Sequence, residues 1–174
     1  MPSGDNLIVR GENTDDTEER SAIHSVNEAA FGSSEEADLV DRLRAEGAVL
    51  VSLVAELDER IAGHILFSRM WIETAGGPVA AVALAPMAVL PGQQRRGIGS
   101  RLVRHGLDVL RGWGERVVIV VGHPGYYPRF GFSTEKAQPL ESPFPPEAFM
   151  AIELSPGALD GVRGRVRYPA AFGL

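Results

Sequence analysis

The stretch from Val82 to Phe132 constrains this chain most. It opens within an apolar run, AVALAPMAVL, closed by Pro91-Gly92, and continues as QQRRGIGSRLVRHGLDVLRGWG, then VVIVVG, then HPGYYPRFGF. After Gln94-Arg95-Arg96-Gly97-Ile98-Gly99, the apolar residues Ile98, Leu102, Val103, Leu107 and Leu110 recur at helical spacing. A turn therefore empties directly into a helix of about four turns. With apolar strands on either side, the stretch predicts a strand–turn–helix–strand unit. The first turn of such a helix carries backbone N–H groups without helical acceptors, at the positive end of the peptide dipoles. It is a place to hold a phosphate. Gly97 and Gly99 leave room for a pyrophosphate to approach the backbone, and Arg95 and Arg96 can add charge-assisted bonds; a glycine-containing turn with solvated arginines is the plain alternative. The stretch is not a dinucleotide fingerprint, because the first glycine of GxGxxG is absent and no acid ends Val117–Val121 to hold a ribose.

Bulk properties narrow the chemistry. A chain of 174 residues predicts one domain, residues 1–174, with an ordinary core. The absence of cysteine removes disulfides, thiolate metal sites and a cysteine nucleophile. The first residues are too polar for a signal peptide and no apolar run approaches 18 residues, so no membrane partner and a cytoplasmic location are expected. A formal charge of -6 argues against a broad nucleic-acid surface. Arg95, Arg96, Arg101, Arg104, Arg111, Arg116 and Arg129 nevertheless crowd one region, which suits a small anionic ligand. The four histidines, His24, His64, His105 and His123, show no metal-binding spacing, so no metal is expected.

Taken in order, Leu7–Arg10 reads as a first strand. Asp15 with Glu18 predicts a cap for a helix carrying Ile23, Val26, Ala30 and Phe31. Ser33 with Glu36 predicts a cap for a second, carrying Leu39, Val40 and Leu43 and stopped at Gly47. Val49–Leu57 and Ile61–Met70 form a hairpin about Asp58-Glu59-Arg60, and Val79–Leu90 is the next strand. Beyond Phe132 come a Pro-rich loop from Pro139 to Pro146, a strand over Ala148–Leu154, and a last strand over Gly161–Tyr168. Pro143, Pro145 and Pro146 stiffen that loop.

Gln94-Arg95-Arg96-Gly97-Ile98-Gly99 matches the Gln/Arg-x-x-Gly-x-Gly/Ala acetyl-CoA signature, and Tyr127-Pro128-Arg129-Phe130-Gly131-Phe132 matches an aromatic hydroxyl in a short helix ending in Gly-Phe. On both motifs the chain resembles the GCN5-related N-acetyltransferase (GNAT) superfamily, and GHPGYYPRFGF is most similar to its YhbS-like subgroup of small bacterial acetyltransferases. The resemblance implies an α/β (α+β) fold with a central mixed, mostly antiparallel sheet flanked by helices. It implies acetyl-CoA as acyl donor, held by Met87, Ala88, Val89, Gln94, Arg95, Arg96, Gly97, Ile98, Gly99, Ser100, Tyr127 and Arg129. In such a fold the Ala85–Val89 strand splays from the strand after the helix, and the pantetheine arm bonds to its main chain. Pro86 cannot donate a ladder bond, which fits such a gap; a core strand with a tolerated proline is the plain alternative.

The resemblance assigns Tyr127 as the catalytic acid that donates to the CoA sulfur; a packing role is the alternative. A phenol of ordinary pKa near 10 stays protonated at neutral pH. Tyr126 points about 100° away on a helix, and the register to Gly131-Phe132 selects Tyr127. Pro124 suits the first turn of that helix and Pro128 limits its length. Many relatives place a glutamate on the strand before the pyrophosphate turn, but Val82–Val89 contains no acid. The base therefore stays open among Glu28, Glu73, Glu147, His64, His123 and water. The expected acceptor is a primary amine of a small molecule or peptide, with Phe144, Glu147 and Phe149 lining its pocket or simply closing the sheet. A non-catalytic acyl-CoA sensor is the competing reading, and a homodimer stays open beside a monomer.

Overall fold

The structure, a computed structural model, describes residues 6–174. Among the described residues, eight strands and four α-helices form a mixed, mostly antiparallel α/β fold. The strands are β1 (Leu7–Gly11), β2 (Val49–Leu57), β3 (Arg60–Thr74), β4 (Gly77–Val89), β5 (Val117–Val121), β6 (Leu140–Glu141), β7 (Phe149–Glu153) and β8 (Gly164–Arg167). The helices are α1 (Thr17–Phe31), α2 (Glu35–Glu46), α3 (Ile98–Gly112) and α4 (Thr134–Ala137). The sheet order is β1-β2-β3-β4-β5-β7, with β8 pairing both β3 and β6. The β4–β5 and β6–β8 pairs are parallel, whereas β1–β2, β3–β8 and β5–β7 are antiparallel. By contact density the chain divides into two compact units. One comprises the described residues up to Phe67 with Pro86–Gly106, and the other Ser68–Ala85 with Leu107–Leu174.

In the first unit α1 starts one residue later than the Asp15 cap predicts. Asp16 is the cap, accepting from the N–H groups of Glu18 and Glu19. Asp15 instead donates its N–H to Asn13 Oδ1. The second predicted cap is also displaced: Ser34 precedes α2 without a side-chain cap bond, and Ser33 Oγ accepts only a long 3.5 Å contact from Glu35 N–H. Both helices end on left-handed glycines, Gly32 and Gly47, whose N–H groups close the last turns. The β2–β3 hairpin turns at Asp58 and Glu59, both with positive φ (48° and 67°), the conformation that matches strand twist in a two-residue loop. Close packing in this unit depends on missing side chains. A Cβ on Gly106 of α3 would lie 2.2 Å from Phe67 Cε2, so the helix rests directly on that ring.

The second unit gathers Met70, Ile72, Ala81, Ala83, Val117, Ile119 and their neighbours into a buried core. Its last strand begins at Gly164, where a Cβ would stand 1.9 Å from the Glu73 carbonyl oxygen. Strand β8 is accordingly shorter than the predicted Gly161–Tyr168 segment.

Candidate active site

The turn between β4 and α3 lies in the first unit. Pro91–Gln93 forms a 3-10 turn, and Gln94 then folds its amide back so that Nε2 donates to Val89 O at 3.1 Å. Arg95 and Gly97 both take positive φ, 66° and 79°. A left-handed arginine is uncommon and stores strain where the chain must present its backbone. Gly99, by contrast, sits in the helix itself. Arg101 N–H donates to Gly97 O at 3.1 Å, so the bonding of the helix begins from Gly97. A Cβ on Gly97 would meet nothing within 4 Å, so the backbone there borders open space. Ile98 is buried and anchors the turn, and Ser100 follows in the same helical turn. Arg96 reaches Gln93 Oε1 at 3.0 Å.

Strand β4 carries Met87, Ala88 and Val89 at its end. Its parallel ladder with β5 comprises Val82↔Val118 and Ala83↔Ile119, well short of Val89. Pro86 is buried beyond the end of that ladder.

Tyr127 lies in the second unit. It opens a 3-10 turn, Tyr127–Phe130, that Gly131 closes with φ 106°. Pro124 falls outside this turn, correcting its predicted first-turn place, because the preceding backbone bonds run from Tyr126 and Tyr127 N–H to His123 O. The ring is 8% exposed, edge-on to Tyr126 at 5.1 Å and to Phe132 at 5.8 Å. Burial pushes its phenol up to about 12, with a smaller contribution from Tyr126. The seat for the ring is Gly122: a Cβ there would lie 2.4 Å from Tyr127 Cε2 and 2.9 Å from Cδ2. Sequence reasoning passed over Gly122, although a glycine directly before HPGYYP was the available signal. Arg129 pins the same turn, donating from Nε to Tyr126 O at 2.9 Å with its guanidinium 4.5 Å from the Tyr126 ring centre.

Glu28 and His64 belong to the first unit, and Glu73, His123 and Glu147 to the second. His64 is fully buried. Ser52 Oγ donates to ionised Glu12 at 2.6 Å, so the serine accepts from His64 Nε2–H at 2.9 Å. Nδ1 is left to accept from Asn27 Nδ2 at 3.2 Å. Burial pushes this imidazole down to about 3, against the pull of Glu12. Burial alone would raise the Glu12 carboxyl, but hydrogen bonds from Arg44 and Ser52 hold it below the usual range. His64 is thus a neutral core group. Glu28 pairs with His24 at 3.0 Å and Glu73 with Arg167 at 2.9 Å. His123 is exposed. Glu147 lines a cavity together with Phe144 and Phe149. Linear spacing did not reveal that His24, Asp38 and Asp41 place potential ligand atoms within 4.8 Å of one another.

Comparison with known proteins gives a consistent picture. The family model described as "Acetyltransferase (GNAT) domain" matches residues 13–134. The chain is 39% identical over 137 residues to the uncharacterised N-acetyltransferase YjhQ of Escherichia coli K12, covering 76% of each chain. Among solved structures, YhbS from Escherichia coli in complex with CoA is similar with a TM-score of 0.86 and 33% identity, over 97% of this chain and 92% of that one. A GNAT-family acetyltransferase from Brucella melitensis in complex with acetyl-CoA gives a TM-score of 0.78 and 37% identity, over 95% and 97% of the two chains.

Proposed function

The chain belongs to the GNAT acetyltransferase family, and from that premise we propose that residues 1–174 act as one N-acetyltransferase domain using acetyl-CoA as donor and a primary amine as acceptor. The observation that carries this reading is the β4–α3 turn, where open space at Gly97 adjoins the start of a 15-residue helix. Gly97, Ile98, Gly99 and Ser100 offer their backbone to the pyrophosphate, with Gln94 holding the turn to Val89. Arg95, Arg96 and Arg129 supply positive charge. The main chain of Met87, Ala88 and Val89 receives the pantetheine arm. The CoA and acetyl-CoA complexes of the two structural relatives support this assignment.

The reaction is direct transfer in a ternary complex. The amine nitrogen attacks the thioester carbonyl carbon, and the C–S bond of the tetrahedral adduct then breaks. The nitrogen loses its proton to solvent. Tyr127 Oη–H donates to the departing sulfur. A phenol raised to about 12 stays protonated at neutral pH. Because an ordinary thiol titrates near about 8.5, the Tyr127 phenol contributes a hydrogen bond that stabilises developing thiolate charge rather than complete proton transfer, and the released CoA sulfur takes its proton from solvent.

Calorimetry with acetyl-CoA tests the proposal. Wild type should bind with micromolar affinity and release free CoA when amines are supplied. Gly97→Val, strained at positive φ and projecting into the ligand's space, should lose binding while remaining folded. Absence of heat with acetyl-CoA and longer acyl-CoAs would refute the reading.

A further inference from the structure

We infer that the cavity beside the Pro-rich loop binds a compact organic cation, an amine carried on an aromatic or branched apolar body. The cavity has a volume of about 760 Å³ and lies in the second unit among α4, β6 and the loop leading to β7. That volume is of the order occupied by small-molecule sites. Leu140, Phe144 and Phe149 give it apolar walls. Two carboxylates, Glu135 and Glu147, share the lining, and no lysine, arginine or histidine occurs among the described residues that line it. The cation of α4, Lys136, is drawn off to Glu153 at 2.6 Å.

The walls are set before a ligand arrives. Three prolines restrict the loop, Ser142 Oγ accepts from Phe144 N–H at 3.0 Å, and Ala148 N–H donates to Pro145 O at 3.0 Å. Phe144 is held edge-on against Tyr168 at 5.6 Å. Glu135 and Glu147 are exposed among the lining residues, so an ammonium can pair with them while its apolar body lies on Leu140, Phe144 and Phe149, and an anion would be repelled. An ammonium on an apolar body satisfies both features.

The Glu147–Phe149 wall is bonded to the segment that carries Tyr127. Gly122 N–H donates to Ala148 O at 3.0 Å, Val121 is the register partner of Phe149, and Gly122 seats the Tyr127 ring. Assigning the bound amine as the acetyl acceptor rests on the proposed acetyltransferase activity, whereas the cation site itself does not.

Titration calorimetry with phenethylamine, ethylamine and phenylpropionate tests both statements. Phenethylamine should bind wild type, ethylamine at least about tenfold more weakly, and phenylpropionate not at all. Glu147→Gln should weaken phenethylamine about tenfold, the loss of one charge-assisted contact, while acetyl-CoA affinity stays unchanged. No binding of phenethylamine, equal binding of phenylpropionate, or an unchanged Glu147→Gln affinity would overturn the cation site. In protein that binds acetyl-CoA, phenethylamine binding without CoA release would overturn its assignment as acceptor. Loss of acetyl-CoA binding alone would refute the acetyltransferase reading and leave the cation result standing.

Discussion

Tyr127 and Gly122 form one device: the ring lies where it does because residue 122 has no side chain. Removing the hydroxyl by Tyr127→Phe keeps the edge-on aromatic contacts and, by taking away the hydrogen bond to the developing thiolate, should lower the single-turnover rate by roughly 10²-fold. Acetyl-CoA affinity should change by less than about tenfold. Tyr126→Phe should leave the rate nearly unchanged. Gly122→Ala places a Cβ inside the van der Waals radius of the ring and should lower the same rate. Added to Tyr127→Phe it should cost little more, the non-additivity of two residues that act as a unit. Additive losses in that cycle would separate the two residues. A second residue-scale consequence belongs to His64, whose folded pKa of about 3 lies below the ordinary value of 6.5. The unfolded chain therefore takes up a proton as pH falls through about 6.5, while the folded chain stays neutral until about 3. Stability from this group is complete above the higher value and drains away between the two, by roughly 2 kcal/mol at pH 5. Urea titrations at pH 8 and pH 5 should show this loss in wild type and a smaller one in His64→Gln, which is less stable at pH 8 but lacks the imidazole.

Among the elements, α3 shows two local preferences in conflict. Alanine is a better helix former than glycine by about 1 kcal/mol, so propensity alone favours Gly106→Ala. The added Cβ would lie 2.2 Å from Phe67 Cε2, and overpacking of a fully buried ring costs about 1–3 kcal/mol. Overlap wins, and a fall in the urea midpoint should follow; a rise would mean that Phe67 yields freely. The β2–β3 turn runs the other way. Asp58 and Glu59 occupy left-handed conformations that asparagine and glycine tolerate better. Asp58→Asn with Glu59→Gly should therefore raise stability by about 0.5–1 kcal/mol, measured by the same denaturation. Helix and strand identity were legible from apolar periodicity, but the cap residues were not. Asp15 and Asp16 have the same cap-forming chemistry, and only the path of β1 into α1 decides which one faces the free amides.

For the whole molecule, linkage sets the scale of ligand effects. At 100 times its dissociation constant, acetyl-CoA should add about 2.7 kcal/mol to the folded state, a midpoint rise of roughly 5–10 °C for a chain of this size. The shift should grow with ligand concentration and vanish in Gly97→Val; scanning calorimetry measures both. The elements up to β5, the Gln94–Gly99 turn and the Tyr127–Phe132 motif were legible in the linear chain, whereas α4 and the short β6, which falls inside the predicted Pro139–Pro146 loop, were not. Each legible feature depends on spacings of a few residues, where periodicity, glycine and proline act directly on the backbone. The chain's glycines did not reveal that Arg95 carries the left-handed strain, since which residue absorbs a turn depends on how both flanking elements are anchored. Only tertiary packing places His64 against Asn27, 37 residues away, and Ser52, 12 residues away, as a buried neutral imidazole. It also brought Glu135, Phe144 and Glu147 around one cavity and set Tyr127 on Gly122. Contacts of this kind depend on strand register and helix packing, which a linear pattern leaves open because one residue of slip exchanges the faces of a strand.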